Sequence, residues 1–365
     1  FTPGPLNTSK TVKEAMLSDV GSRDVSFINI TANIRRSLLT IADADSTVFT
    51  AILLQGSGTY AIEAVFANAL GRQNGKALII SNGAYGDRMA AICKQGAYNY
   101  RMIRVDETEP FDLVAIEKEL REGGYTLVAA VHCETSTGQF NLIEELASLV
   151  SRASDAKFFV DAMSSFGAVP ISLKDTRIDF LVSSANKCLQ GVPGFAFVLA
   201  KISTLESYKG RCTSWSLDLV AQYEALEKSG QFRCTPPTHT MLAFQQALTE
   251  HAEEGGVAGR QRRYTENNRV ISEGMRRLGF RTLLHDQSPY IITSFVYPKD
   301  DHFDFEDFYG RLSKCGQVIY PGKVSSADCF RLGNIGDLWP ADCQKLVDHI
   351  KDALHDMGVH VPIVY

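Results

Sequence analysis

The chain predicts an α/β protein: a large domain on a mostly parallel sheet, with a smaller α+β C-terminal domain. Three observations predict this. Short apolar runs alternate with helical patterns between about residues 50 and 200. Most of these runs are unbroken, the pattern of strands buried on both faces of a parallel sheet. After about residue 240 the alternation gives way to long polar helical stretches and scattered strand-like runs. With roughly 100–200 residues per domain, a chain of 365 residues suggests about two domains.

The elements follow in order. Strands are expected at Ala51–Leu54, Ala77–Ser81, Arg101–Val105, Leu127–His132, Phe158–Asp161, Phe180–Ser183 and Phe195–Ala200. Between the first two, Ile62, Val65, Phe66, Ala69 and Leu70 repeat at helical spacing and share one face. A helical stretch over Met241–Leu278 is broken at Gly255-Gly256. The rest reads as strand Ile291–Tyr297, helix Phe305–Lys314, strands Gln317–Tyr320 and Cys329–Leu332, and a helix near Ala341–Met357. The tail from Gly358 to Tyr365 carries no signal of its own.

Composition narrows the function. Hydrophobic residues are 45% and charged residues 22%, with a net charge of −5. That balance argues against nucleic acid or an anionic membrane as the main partner. No apolar run approaches the roughly 18 residues needed to span a bilayer. Eight scattered cysteines, none spaced C-x-x-C, read as reduced thiols of a cytoplasmic protein without a zinc site.

Three short segments carry chemistry. Gln55-Gly56-Ser57-Gly58-Thr59 follows a strand and opens the amphipathic helix, so backbone amides and two hydroxyls face an anion such as phosphate. Phe158-Phe159-Val160-Asp161 ends a strand on a carboxylate, at the sheet edge where α/β proteins bind ligands. Ser183-Ser184-Ala185-Asn186-Lys187 puts a lysine in a small-residue segment after a strand, where burial favours a neutral amine suited to Schiff-base chemistry. Taken singly, each also reads as a glycine turn, a capping aspartate or a loop lysine, and for the lone aspartate and the lone lysine that plain reading comes first. Together, and in this order, they are what pyridoxal phosphate requires: a phosphate anchor, a partner for the ring nitrogen and an amine for the aldehyde. The first segment also reads as Gly56-x-Gly58-x-x-Ala61, a dinucleotide fingerprint, but no carboxylate ends the next strand and Asp87 comes too late.

At these residues the chain resembles the class V aminotransferases, of the aspartate-aminotransferase-like fold (fold type I) that binds pyridoxal 5'-phosphate. Further segments carry the likeness: Thr2-Pro3-Gly4-Pro5, Ser81-Asn82-Gly83-Ala84-Tyr85-Gly86, Ala162-Met163-Ser164-Ser165, Gly191-Val192-Pro193-Gly194, Thr235-Pro236-Pro237-Thr238, Tyr320-Pro321-Gly322-Lys323 and Phe330-Arg331-Leu332-Gly333. The corresponding division is a large cofactor-binding domain over 16–245 and a small domain made of 1–15 and 246–365.

The resemblance implies the roles. Lys187 holds the cofactor aldehyde and then moves the substrate proton, and Asp161 pairs with the ring nitrogen. Ser57, Gly58 and Thr59 grip the phosphate. Tyr85 stacks on the ring, and Thr135 or Ser136 touches its hydroxyl side. Thr235 reaches the phosphate from the second subunit of a homodimer with shared sites. Arg331 binds the acidic group of the substrates. Phe232 departs from the family, which often places a tyrosine there, so one hydroxyl toward the phosphate is missing. Asn186 argues against the cysteine desulfurase branch, which tends to carry histidine before the lysine. The implied activity is amine transfer from 2-aminoethylphosphonate to pyruvate. The alternatives are an alanine or serine:glyoxylate aminotransferase, more remotely a nicotinamide-dependent oxidoreductase, and a catalytically dead scaffold.

Overall fold

The computed structural model describes residues 1–72, 75–284, 290–324 and 327–365. Its centre is a seven-stranded sheet: β1 (Phe49–Gln55), β2 (Lys76–Ser81), β3 (Asn99–Arg104), β4 (Leu127–Val131), β5 (Lys157–Asp161), β6 (Phe180–Ser184) and β7 (Phe195–Lys201). Their order across the sheet is β1-β7-β6-β5-β4-β2-β3, and only β7 runs against the others. Each strand lies within a residue or two of its expected position.

The unbroken apolar runs are explained by two cores, one on each face. Leu53, Leu78, Ile80, Val128, Phe158 and Val160 pack on one side; Leu54, Ala77, Ile79, Leu127, Ala129 and Phe159 pack on the other. Alternate residues of a strand point to opposite faces, so a sheet covered on both sides needs apolar residues at every position. Strand β3 is the exception. Among the described residues it pairs only with β2, and Asn99, Arg101 and Arg104 are exposed along it.

The helix opened by the glycine segment spans Gly58–Leu70 and is almost wholly buried. The predicted break also appears: helices Thr238–Glu253 and Gly256–Arg277 meet at Gly255 and Gly256, whose φ angles of 98° and 65° suit glycine. A second sheet orders β8 (Ile292–Val296), β10 (Cys329–Gly333) and β9 (Tyr320–Pro321) side by side, backed by helices Gly256–Arg277, Phe305–Lys314 and Pro340–Met357.

The strand expected over Gln317–Tyr320 is corrected to the two residues of β9. The Gln317 N–H caps the preceding helix by donating to the Leu312 carbonyl, and the Val318 carbonyl accepts from the Phe1 amine at 2.8 Å. Those groups are therefore lost to the ladder. The signal-free tail is also ordered. Val359 and Ile363 are buried, Ile363 N–H donates to Leu278, and the Tyr365 hydroxyl donates to the Val296 carbonyl at 2.7 Å. No helix among the described residues is long and apolar enough to cross a membrane.

Candidate active site

Strands β1, β2, β4, β5 and β6 run parallel, so the loops leaving their C-terminal ends gather at one edge of the sheet. Those loops carry Ser57–Thr59, Tyr85, Thr135–Ser136, Asp161 and Lys187.

Asp161 ends β5 and is buried. One oxygen, Oδ1, accepts the Met163 N–H at 2.8 Å; the other accepts no hydrogen bond among the described residues. Burial raises this carboxyl from its ordinary 3.8 to about 6; the Met163 hydrogen bond opposes, nearby Glu134 adds, and Lys187 and Arg88 lower it. Lys187 is nearly enclosed, and burial holds its ammonium below the ordinary lysine range against the pull of Tyr85, Cys188 and Asp161. Its Nζ donates to the Pro3 carbonyl at 2.6 Å. Gly4 has φ of 127°, and a Cβ there would sit 2.7 Å from Lys187 Nζ. The N-terminal segment thus needs glycine where it passes the lysine.

The cup is a turn at Gly56, φ 108°, leading into the helix at Gly58. Ser57 is its N-cap but makes no side-chain capping bond, and while the Tyr60 N–H donates to the Ser57 carbonyl at 3.0 Å, the Gly58 and Thr59 amides remain available to an anion. A Cβ on Gly58 would lie 2.1 Å from Met163 Cε, so glycine is required where the β5 loop packs on the cup. Arg88 donates to Thr59 Oγ1 at 3.3 Å and lies over the Tyr85 ring, 4.8 Å from its centre.

Tyr85 is the meeting point. Burial raises its phenol, but Lys187, the Thr135 hydrogen bond, Lys323 and Arg331 outweigh burial and lower it. Lys323 Nζ sits 4.6 Å from the ring centre. Arg331 is buried on β10; Nε donates to the Pro321 carbonyl at 3.0 Å and Nη1 to the Thr135 carbonyl at 3.1 Å. Among the described residues, no carboxylate pairs with Arg331, and Nη2 makes no hydrogen bond.

Thr235 lies elsewhere on this edge. It is exposed, and its carbonyl accepts from Gln55 Nε2 at 2.9 Å, beside the cup of its own chain. Phe232 packs partly buried against the core.

Glu134 stands out in the sequence only as a neighbour of Thr135 and Ser136, yet it organises this edge. Its carboxylate accepts from the Ser136 hydroxyl at 2.6 Å, the Ser136 N–H at 3.2 Å, and the Tyr85 and Gly86 N–H groups at 3.1 and 3.4 Å. It thereby caps the helix Ala84–Gln95. A Cβ on Gly83 would meet Glu134 Cγ at 2.5 Å. Beneath, His132 is pushed down to about 4 by burial, and its Nδ1 shares a 2.9 Å hydrogen bond with Ser165. Arg88 and Lys323 were likewise missed as site residues; for Lys323 the signal was its place in the Tyr-Pro-Gly-Lys run.

This donor set fits pyridoxal phosphate. It offers an uncapped helix start for a phosphate, a buried carboxylate with a free oxygen for a protonated ring nitrogen, and a buried amine. Asp87, weighed above for a ribose, is instead tied to Ser81 at 2.8 Å and Arg104 at 3.0 Å.

Comparison with known proteins agrees. The family model for Aminotransferase class-V matches residues 8–313. A 2-aminoethylphosphonate--pyruvate transaminase of Bacteroides fragilis is 51% identical over 96% of this chain and 98% of its own length. One from Salmonella paratyphi C is 50% identical, covering 97% of each chain. Among solved structures, ureidoglycine-glyoxylate aminotransferase from Bacillus subtilis superposes with a TM-score of 0.89 at 22% identity, over 99% of this chain and 93% of the other. Alanine--glyoxylate aminotransferase from Nostoc sp. gives 0.87 at 25% identity, over 98% and 94%.

Proposed function

The chain belongs to the class-V aminotransferase family, and on that premise we propose that it moves the amine of 2-aminoethylphosphonate to pyruvate, giving phosphonoacetaldehyde and L-alanine. Family membership removes the nicotinamide reading. The observation that carries the proposal is Arg331, a buried guanidinium with no carboxylate partner among the described residues, beside the group formed by Lys187, Asp161 and Tyr85. The curated relatives' shared name supports the choice of donor.

Pyridoxal 5'-phosphate is the cofactor, and when bound it supplies the electron sink that makes loss of a Cα proton feasible. The chain's residues do the rest. Ser57, Gly58 and Thr59 hold the phosphate with amides and hydroxyls, and Arg88 adds charge through Thr59. Asp161 offers its free oxygen to the ring nitrogen and keeps that nitrogen protonated. Tyr85 covers the ring, positioned by Glu134 through its own N–H. Thr135 and Ser136 line the hydroxyl side. Lys187, whose charged form burial disfavours, carries the cofactor and then takes the proton from substrate Cα. Arg331 grips the acid group of either substrate.

The same reading makes the molecule a cytoplasmic homodimer of 16–245 and 1–15 plus 246–365 domains, in which the exposed Thr235 completes the phosphate site of the partner subunit. Exposed Tyr60, on the first turn of the cup helix, supports a second copy seated there.

Coupled assays of the purified holoenzyme test the proposal. Alanine should form from 2-aminoethylphosphonate and pyruvate. Turnover with alanine or serine and glyoxylate only would overturn it and favour that second activity.

A further inference from the structure

Four cationic side chains surround Tyr85: Lys187, Arg88, Lys323 and Arg331. Three have a task on the reading above. Lys187 carries the cofactor, Arg88 serves the phosphate cup through Thr59, and Arg331 meets the acid group. Lys323 has none. Among the described residues it has no carboxylate within ion-pair distance and makes no hydrogen bond. Its position is nevertheless built. Tyr320 pairs with Arg331, the Gly322 N–H donates to the Cys329 carbonyl at 2.8 Å, and a Cβ on Gly322 would fall 2.5 Å from Cys329. Glycine at 322 lets the chain hug β10, which delivers Lys323 to the ring beside Arg331.

The two substrates differ in charge and shape. A carboxylate has two oxygens and one negative charge, and an arginine edge satisfies both oxygens. A phosphonate has three oxygens in a tetrahedral array and, like a phosphate monoester, carries close to two charges near pH 7. Arg331 has spent its single Nε–H and one N–H of Nη1 on carbonyls, which leaves the Nη2 side of the fork, both Nη2 N–H groups and one of Nη1, as the edge it can offer. That edge covers two oxygens and leaves the third, with the second charge, unmet.

We propose that Lys323 is the specificity-determining residue for dianionic amino donors, contacting the third phosphonate oxygen while Arg331 holds the other two. This rests on the transaminase reading and explains how one site takes a phosphonate donor and a carboxylate acceptor. With pyruvate or alanine bound, Arg331 suffices.

Lys323→Met and Lys323→Arg holoenzymes test it. Single-turnover half-reactions with 2-aminoethylphosphonate and with alanine are followed by the cofactor's absorbance. Binding of the unreactive ethylphosphonate and propionate is measured by calorimetry. For Lys323→Met, the ratio of kcat/KM for 2-aminoethylphosphonate to that for alanine should fall about 10- to 100-fold, the range for a hydrogen bond to a charged group. The fall should lie mainly in KM. Ethylphosphonate affinity should drop by a similar factor relative to propionate, and Lys323→Arg should restore most of both. An equal loss for both donors, or an ethylphosphonate-to-propionate ratio within about twofold of wild type, overturns the proposal. A wild-type enzyme inert toward 2-aminoethylphosphonate sinks the transaminase reading instead, and the calorimetric ratio still decides whether Lys323 recognises a dianion.

Discussion

Replacing Asp161 by asparagine separates what this residue does for the fold from what it does for chemistry. The side chain keeps its shape, and the amide oxygen can still accept the Met163 N–H. What disappears is a buried charge. In the cofactor-free protein, burial raises the carboxyl from 3.8 to about 6. Between those values the folded chain binds more protons than the unfolded chain, so stability falls as pH rises through that window. At about 1.4 kcal/mol per unit, the shift costs about 3 kcal/mol once pH exceeds 6. The substituted amide has no proton to lose. Cofactor-free Asp161→Asn should therefore be about 3 kcal/mol more stable than wild type at pH 8, with the gain shrinking toward zero near pH 4. Urea unfolding of the two cofactor-free proteins at several pH values measures this. The same variant should lose pyridoxal phosphate affinity and turnover, because its amide cannot hold a protonated ring nitrogen by charge. An equal or lower stability at pH 8, or a gain independent of pH, would refute the reasoning.

Other consequences are shorter to state. Lys187→Ala should lower kcat by at least about 10²–10⁴-fold, the usual worth of a positioned acid–base group, in steady-state assays of the cofactor-loaded protein; turnover near the wild-type rate would remove the residue from the mechanism. Gly83→Ala should push the Glu134 carboxylate off the Tyr85 and Gly86 N–H groups and cost about 1–3 kcal/mol by overpacking, together with much of the activity. Thermal unfolding and the coupled assay read both effects. Ile363→Ala should destabilise the protein by about 2 kcal/mol or more, seen as a lower urea midpoint, since this tail residue is buried against the small sheet's core.

Much of the architecture was legible because its cause is local. The seven central strands were readable from unbroken apolar runs, since a sheet covered on both faces leaves no position for a polar residue. The break at Gly255-Gly256 was readable because glycine alone adopts those angles readily. Gln317–Tyr320 was misjudged for a reason outside its own composition: its hydrogen-bonding groups are taken by the Leu312 carbonyl and the Phe1 amine. The tail was silent for a similar reason. Val359 and Ile363 show no period over so few residues, and only the small-domain cluster that includes Leu278 and Phe295 makes them core.

The site divides in the same way. The residues Asp161 and Lys187, and the cup at Ser57–Thr59, stand out in sequence because each follows directly on a strand, where a β-strand's end places it at the ligand-binding edge. Lys323 and Gly4 carry no such mark, and Glu134, though it follows a strand, shows no role until its carboxylate is seen against the Tyr85 and Gly86 N–H groups. Their importance is a matter of distance to residues 238, 183 and 49 positions away, Tyr85, Lys187 and Tyr85. The linear order of amino acids thus determined which strands form and which chemistry their ends offer, because burial and backbone geometry act over a few neighbouring residues. Only the folded chain decided which charges face each other, because electrostatic and packing forces act through space and take no account of separation along the chain.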